Sequence, residues 1–425
     1  YDCNNIVSAY AHQYILVFND IIPKFTNMTD IKSALQNGLR IKDLACGYNI
    51  NDINDIIAQY SVFTDTIKKL YIDPQCHHVS DKDLVNCTSV ESLELPPDCP
   101  YITTFAPFAK SLKSLYLPLC HGVDNIMLRS CTSITELNVC GCRYITSCDS
   151  FANTLRILNA SNAGNVICNF LCGITNTGLS KCTQLEVLYA SNNDKISTCR
   201  QFAQTLRILH ADGRLCGIST DSLKLCTQIE ELNANLNNRI VTCAPFARSL
   251  RILYAACSEC GINDDGLALC TKITKLYAHD NPKITTCISF RKTLCILDAS
   301  KSCGIDNNGI KLCTQIEELN ARNNHKITTC APFAKSLLKL YAYNNCGISN
   351  VGLALCIHIK ELYADDNCKI TSCAPFAKTL RVLSASGTCG IDDYNLKLCT
   401  GITEVHSSMN NKISVRKTRK SRKHG

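Results

Sequence analysis

Two stretches of different length alternate along most of this chain, and that alternation limits what it can fold into more than any other feature. Ile316–Ser336 reads IEELNARNNHKITTCAPFAKS, and Leu337–His358 reads LLKLYAYNNCGISNVGLALCIH. The first, shorter unit recurs from Leu185, Ile229, Ile273 and Ile359; the second, longer one recurs from Leu206, Leu250, Leu294 and Leu380. Weaker copies begin at Ile67, Val90, Leu112, Ile134 and Leu155, and a half-copy begins at Ile402. A unit of some twenty residues cannot bury its apolar side alone, so neighbouring units must stack into one continuous core.

Each unit opens with apolar residues at its first, fourth and sixth positions, as in Ile316, Leu319 and Ala321 or Leu337, Leu340 and Ala342. The fourth and sixth point to one face of a strand, and the fifth points to the other. Short units then place Asn193, Asn237, Asn281, Asn324 and Asn367 at a turn. An Asn buried there can satisfy backbone groups of adjacent coils with both donor and acceptor. Long units place Cys216, Cys260, Cys303, Cys346 and Cys389 at the matching point, each followed by Gly. After a strand of five or six residues, about ten remain for the return, enough for one or two helical turns. Pro107, Pro245, Pro332 and Pro375 suit the first position of such a turn, and Asp264-Asp265-Gly266 reads as a polar helix start.

These repeats resemble leucine-rich repeats. CGINDDGLALCTK and CGISNVGLALC look like a shortened form of the cysteine-containing class, and the paired units, rich in Asn, Ile, Lys and Cys, resemble repeat proteins of giant amoeba-infecting DNA viruses (mimivirus-like). The resemblance covers about Ile41 to Ile413 and implies an α/β solenoid. In it, a leucine-rich-repeat horseshoe or arc carries a parallel concave sheet, with short helical or 3-10 segments on the convex side. It also implies a protein–protein interaction scaffold, viral and acting on a host or viral protein. The expected organisation is an N-terminal helical cap with a degenerate first repeat over 1–66 and fifteen repeats over 67–401. A final half-repeat over 402–414 and a disordered basic tail over 415–425 complete it. Residues 1–40 carry two readings, a cap on the open end of the core or an F-box-like segment docking a ubiquitin-ligase adaptor.

The unit from Leu155 is longer than its equivalents, with the excess near 162–170 (NAGNVICNF). Such an insertion is either a binding loop or a tolerated surface excursion. The net charge of +8 is concentrated at one end: Arg416, Lys417, Arg419, Lys420, Arg422 and Lys423 supply six of it, leaving about +2 for the rest. That tail reads either as a solvated terminus or as a nuclear-targeting or weak nucleic-acid-binding segment.

Thirty-one cysteines would suggest disulfides in a small secreted domain. Their register argues otherwise. Cys199, Cys243, Cys287, Cys330 and Cys373 share one position of units two coils apart, as do Cys226, Cys270, Cys313, Cys356 and Cys399. With about 4.8 Å between strands, equivalent atoms two coils apart sit near 10 Å, beyond disulfide reach. Free thiols in an intracellular compartment, host cytoplasm or nucleus, are the expectation. Cys140-Gly-Cys142 with Cys148, and Cys76-His77-His78, lack the paired spacing of zinc sites. With no phosphate loop and no positioned base for a cysteine nucleophile, neither an enzyme nor a cofactor is expected. No apolar run is long enough for a membrane span, and a monomer is expected.

The fifth position gives the candidate binding surface, because it faces away from the core. Seven of the sixteen tyrosines fall there. Tyr116, Tyr189, His210, Tyr254, Tyr277, Tyr341 and Tyr363 are the candidate contacts for a protein ligand on the concave face. The competing reading is that Tyr simply suits a strand. Beside this column Glu230, Glu231, Glu317, Glu318 and Glu361 alternate with Arg156, Arg207, Arg251 and Arg381. A self-neutralising ladder of that kind speaks against nucleic acid on the same face.

Overall fold

The structure, a computed structural model, describes residues 68–72, 79–97, 99–163 and 170–414. The expected cap with its docking alternative, the Cys76-His77-His78 cluster and the basic tail lie outside the described residues, as does most of the insertion. Two compact units divide the chain, Tyr1–Thr205 and Leu206–Gly425. The first carries β1 (Lys69–Tyr71), β2 (Ser92–Glu94), β3 (Ser114–Tyr116), β4 (Glu136–Asn138), β5 (Ile157–Asn159) and β6 (Val187–Tyr189). The second carries β7 (Ile208–His210), β8 (Glu231–Asn233), β9 (Ile252–Tyr254), β10 (Lys275–Tyr277) and β11 (Ile296–Asp298). It continues through β12 (Glu318–Asn320), β13 (Lys339–Tyr341), β14 (Glu361–Tyr363), β15 (Val382–Ser384) and β16 (Glu404–His406). Within each unit every strand pairs in parallel with its sequence neighbour, in constant register: Lys339 opposite Glu318, Leu340 opposite Leu319, Tyr341 opposite Asn320.

The strands occupy the third to fifth positions of each repeat. They are three residues long, shorter than the five or six the sequence suggests. The cause is a left-handed residue at the eighth position of coil after coil: Asn192, Leu236, Asp280, Asn323 and Asp366 in short units, Cys257, Lys301 and Asn344 in long ones. A φ near +60° ends the extended run just past the sixth residue, which is still hydrogen-bonded across (Ala321 N to Tyr341 O, 2.9 Å). Gly387 takes the same place with φ +63°, the backbone region where a Cβ is strained.

The return side differs between the two repeat types. Six long units form one-turn α-helices, α1 (Asp81–Leu84), α2 (Asn125–Leu128), α3 (Asp264–Leu267), α4 (Asn307–Ile310), α5 (Asn350–Leu353) and α6 (Asp393–Lys397), whereas those from Leu155 and Leu206 make 3-10 turns, Thr177–Leu179 and Asp221–Leu223. Asn263 caps α3 by accepting from Gly266 N, and Asp306 caps α4 through Gly309 N. Short units make three-residue 3-10 turns such as Ala244–Phe246 and Ala331–Phe333. Their Pro falls at the second residue, one later than expected, because Thr242 Oγ1 already caps the turn by accepting from Ala244 N (3.1 Å).

The core runs between sheet and return. Leu319, Leu340, Leu362, the sixth-position alanines and the column Phe246, Phe290, Phe333 and Phe376 are all at most 1% exposed. Truncating one such Phe to Ala costs roughly 3–5 kcal/mol. The buried Asn column does what its chemistry implies. Asn324, 1% exposed, donates from Nδ2 to Ala299 O (2.7 Å) and Ile305 O (3.1 Å) of the preceding coil, and its Oδ1 accepts from Lys326 N (2.9 Å). Asn237, Asn281, Asn367 and Asn410 repeat the donor pattern. In the following long coil Gly347 lies so close that a Cβ would sit 2.5 Å from His325 O, so only glycine fits.

All described cysteines are free thiols. The two columns are not independent, however. The spacing argument holds within a column, but alternate columns come together. Cys243 shares a thiol hydrogen bond with Cys270, Cys287 with Cys313, and Cys330 with Cys356. That bond and complete burial push Cys243, Cys287 and Cys330 well above the ordinary thiol range.

Candidate functional site

All seven candidate residues close a strand, each as its third residue. In the first unit Tyr116 stands in register between Glu94 and Asn138, and Tyr189 beside Asn159. The second unit brings its members into contact. Tyr254 and Tyr277 are direct partners across β9 and β10, and their rings stack 4.5 Å apart at 5°. Tyr341 and Tyr363, partners across β13 and β14, stack 4.6 Å apart at 15°. Both separations are close to the ~4.8 Å between parallel strands, so two tyrosines in register stack without leaving their own coils. Asp298 and Asn320 separate the two stacks.

His210 closes one end of the first stack. Its ring leans over Asn233 toward Tyr254, with centroids 6.3 Å apart, and Nε2 lies 3.2 Å from Glu231 Oε1. That leaves His210 9% and Asn233 8% exposed. Burial, then the Glu231 carboxylate and Tyr277, push the Tyr254 phenol up to about 12. Burial and the carboxylates of Glu318, Asp298 and Glu231 raise Tyr277 as well.

Two contributors, Lys339 and Tyr343, escaped the sequence reading, and a third, Glu231, was read there only as part of the charge ladder. Lys339 Nζ lies over both rings of the second stack, 5.1 Å from Tyr341 and 5.8 Å from Tyr363, and 3.2 Å from Glu361. A hydrogen bond to Tyr341 leads the effects that hold its ammonium above the usual lysine range. Tyr343 packs edge-on against Tyr341 at 6.4 Å and takes the Arg322 guanidinium on its ring at 5.0 Å. Glu231 serves both His210 and the Tyr254 environment. Period two was the available signal: Tyr343 is two residues past Tyr341, on the same face.

The expected charge ladder is present in part. Arg156 pairs with Glu186 at 2.7 Å and Arg207 with Glu230 at 2.6 Å, with all four side chains at least 41% open to solvent, so each pair contributes at most about 1 kcal/mol. Arg381 instead donates to the carbonyls of Lys378, Leu380 and Gly401, and Arg251 stands exposed. Cys142 donates to Leu117 O at 2.7 Å inside the core. No group of three or more His, Cys, Asp or Glu among the described residues could hold a metal ion. At the insertion, an antiparallel bridge joins Ala163 to Phe170, whose ring stacks on His121 at 5.5 Å. No helix among the described residues is long and apolar enough to cross a membrane.

Neither a protein-family model nor a curated protein sequence matches the chain. Solved structures do. An internalin (inlF) from Listeria monocytogenes is similar at 15% identity and TM-score 0.43, covering 86% of this chain and 89% of its own. The functional domain of InlJ from the same organism, which includes a cysteine ladder, is similar at 16% identity and TM-score 0.45, over 80% of each chain. A TLR13–ssRNA13 complex gives 13% identity and TM-score 0.45, over 83% of this chain and 54% of that one. One parallel strand per coil, a constant register, a buried Asn column and short helical returns make each unit a leucine-rich-repeat solenoid.

Proposed function

We propose that the chain is a protein-binding scaffold whose second unit grips a protein ligand through Tyr254, Tyr277, Tyr341 and Tyr363. The observation that supports this most is the pair of stacked tyrosine platforms on the sheet face. Each is half-buried and backed by β-strands, so binding immobilises little that is not already fixed. Carboxylates (Glu231, Asp298, Glu361) and cations (Lys339, Arg322) surround them, a mixture that suits a protein surface better than a polyanion. Tyr116, Tyr189 and His210 extend the surface on this reading. The basic tail, Arg416 to Lys423, adds a weak, salt-sensitive nucleic-acid contact. A viral setting, with a host or viral protein as ligand, rests on the sequence resemblance alone.

The test compares proteins captured by crosslinking to the full chain and to a Tyr254→Ala/Tyr277→Ala/Tyr341→Ala variant. A set enriched with the parent and lost with the variant, while circular dichroism is preserved, is the expected outcome. Identical capture by both would sink the proposal.

A further inference from the structure

The return side of the second unit carries a row of exposed leucines. Leu225, Leu269, Leu312, Leu355 and Leu398 each stand directly before the buried cysteine that ends a long unit's return. They are 52%, 66%, 48%, 66% and 41% exposed. The same position in the first unit holds Asn86, Ser130 and Lys181, so packing of the coil does not require an apolar residue there. A leucine exposed on five successive long coils is a patch, not scatter.

Cations frame the row. Lys224, Lys311 and Lys397 directly precede three of the leucines, and Arg248, Lys292, Lys335 and Lys378 lie exposed on the interleaved short coils. Those coils are pinned alongside: Ser249 Oγ donates to Thr227 O (3.1 Å) and Ser289 Oγ to Ala268 O (3.0 Å). Acids at the neighbouring helix starts are mostly engaged. Asp221 pairs with Lys224, Asp264 bonds Thr285, and Asp306 caps α4; Asp265 stands exposed.

We propose that this leucine–lysine face docks an acidic amphipathic α-helix of a partner protein. Spacing and charge select that occupant. Two coils span roughly 10 Å at the sheet, taking about 4.8 Å per strand, and seven residues of α-helix rise about 10.5 Å. Over Leu269, Leu312 and Leu355 the two rulers diverge by only ~2 Å, so apolar residues seven apart seat on three leucines in a row. Glu or Asp flanking those residues meets the lysines. A second copy of this chain would set the same cations against each other. The face lies apart from the tyrosine platforms, and its test is independent of them.

The probe is a synthetic 28-residue helical peptide with Leu at every seventh position and Glu at the flanking ones. Its binding to the full chain is read by fluorescence anisotropy. Micromolar binding is expected, at least tenfold weaker for a peptide of equal composition with leucines five apart, and for one with Lys replacing Glu. Leu312→Ser/Leu355→Ser should weaken the first peptide at least tenfold at unchanged melting temperature. Lys311→Glu/Lys335→Glu, which leaves the apolar row intact, should do the same and flatten the salt dependence. Tyr277→Ala should leave the affinity as it is. Equal binding of the two leucine spacings, insensitivity to both double variants, or no binding at 100 µM peptide would each overturn the proposal. So would tighter binding to phosphatidylserine vesicles that the leucine variant abolishes, since that would make the face a lipid-binding one.

Discussion

Replacing Asn324 with Ala removes three hydrogen bonds at once, and the structure says where the damage should appear. The side chain is 1% exposed and spans two coils: Nδ2 to Ala299 O and Ile305 O, Oδ1 from Lys326 N. A net loss of about 1 kcal/mol per bond, with some further cost for carbonyls left dry, gives roughly 3–4 kcal/mol. In a molecule where each coil touches only its neighbours, that loss is local. Hydrogen exchange read by mass spectrometry is therefore the assay. Peptides covering 296–330 should lose protection by roughly a hundredfold or more, at 1.4 kcal/mol per factor of ten, while those covering β9 stay as they were. Asn324→Asp should be worse than Ala, because it loses both donations and turns a buried carboxylate toward two carbonyls. A change under tenfold in 296–330, or one spread evenly over the second unit, would refute the assignment of the Asn column as the clamp between coils.

Tyr254 should ionise late: in a spectrophotometric titration its phenolate appears near pH 12. With the folded value raised above the unfolded one near 10, its contribution to stability is complete below pH 10 and fades between 10 and 12. Absorbance showing every tyrosine ionised by pH 10.5 in folded protein would contradict the stacked geometry. Leu236 holds φ +60° where Asn192 and Asn323 sit in equivalent turns, so Leu236→Asn should raise the melting temperature, by relief of about 1 kcal/mol; a drop would show that the leucine packs there usefully. Alkylation of native protein should reach exposed Cys368 well before Cys243, Cys287 or Cys330, and all 31 thiols only after denaturation. Equal rates for Cys243 and Cys368 would mean the thiol pairs are open to solvent.

Much of this molecule is legible in its repeat. First, fourth and sixth positions name the core, the fifth names the open face, and an Asn at a buried turn announces a bond to a neighbouring coil. What escaped depends on how one coil sits against the next. Strand length could not be read, because Leu236, Asp280 and Lys301 give no sign in their side chains of a left-handed backbone. The meeting of the two cysteine columns escaped for a related reason: spacing within a column says nothing of the offset between columns. The tyrosine column was visible as a list. That two pairs stack, that His210 leans across Asn233, and that Lys339 straddles a stack follow from register and rotamer, which a list does not contain.

The clamp between coils also sets how such a chain can change its length. Asn324 reaches back to a long coil, and Gly347 of the next long coil donates its N–H to Asn324 O at 3.1 Å. Lys326 and Lys369 bind the carbonyls of Cys303 and Cys346 in the same alternating sense. Removing residues 294–336, one long and one short unit, would bring Gly347 against the turn of Asn281, and each bond would find an equivalent partner. Removing 316–336 alone would set two Cys-Gly turns against each other, with no amide between them and both thiol columns out of step. Growth and loss by gene duplication are therefore quantised: the scaffold accepts whole pairs and rejects single coils.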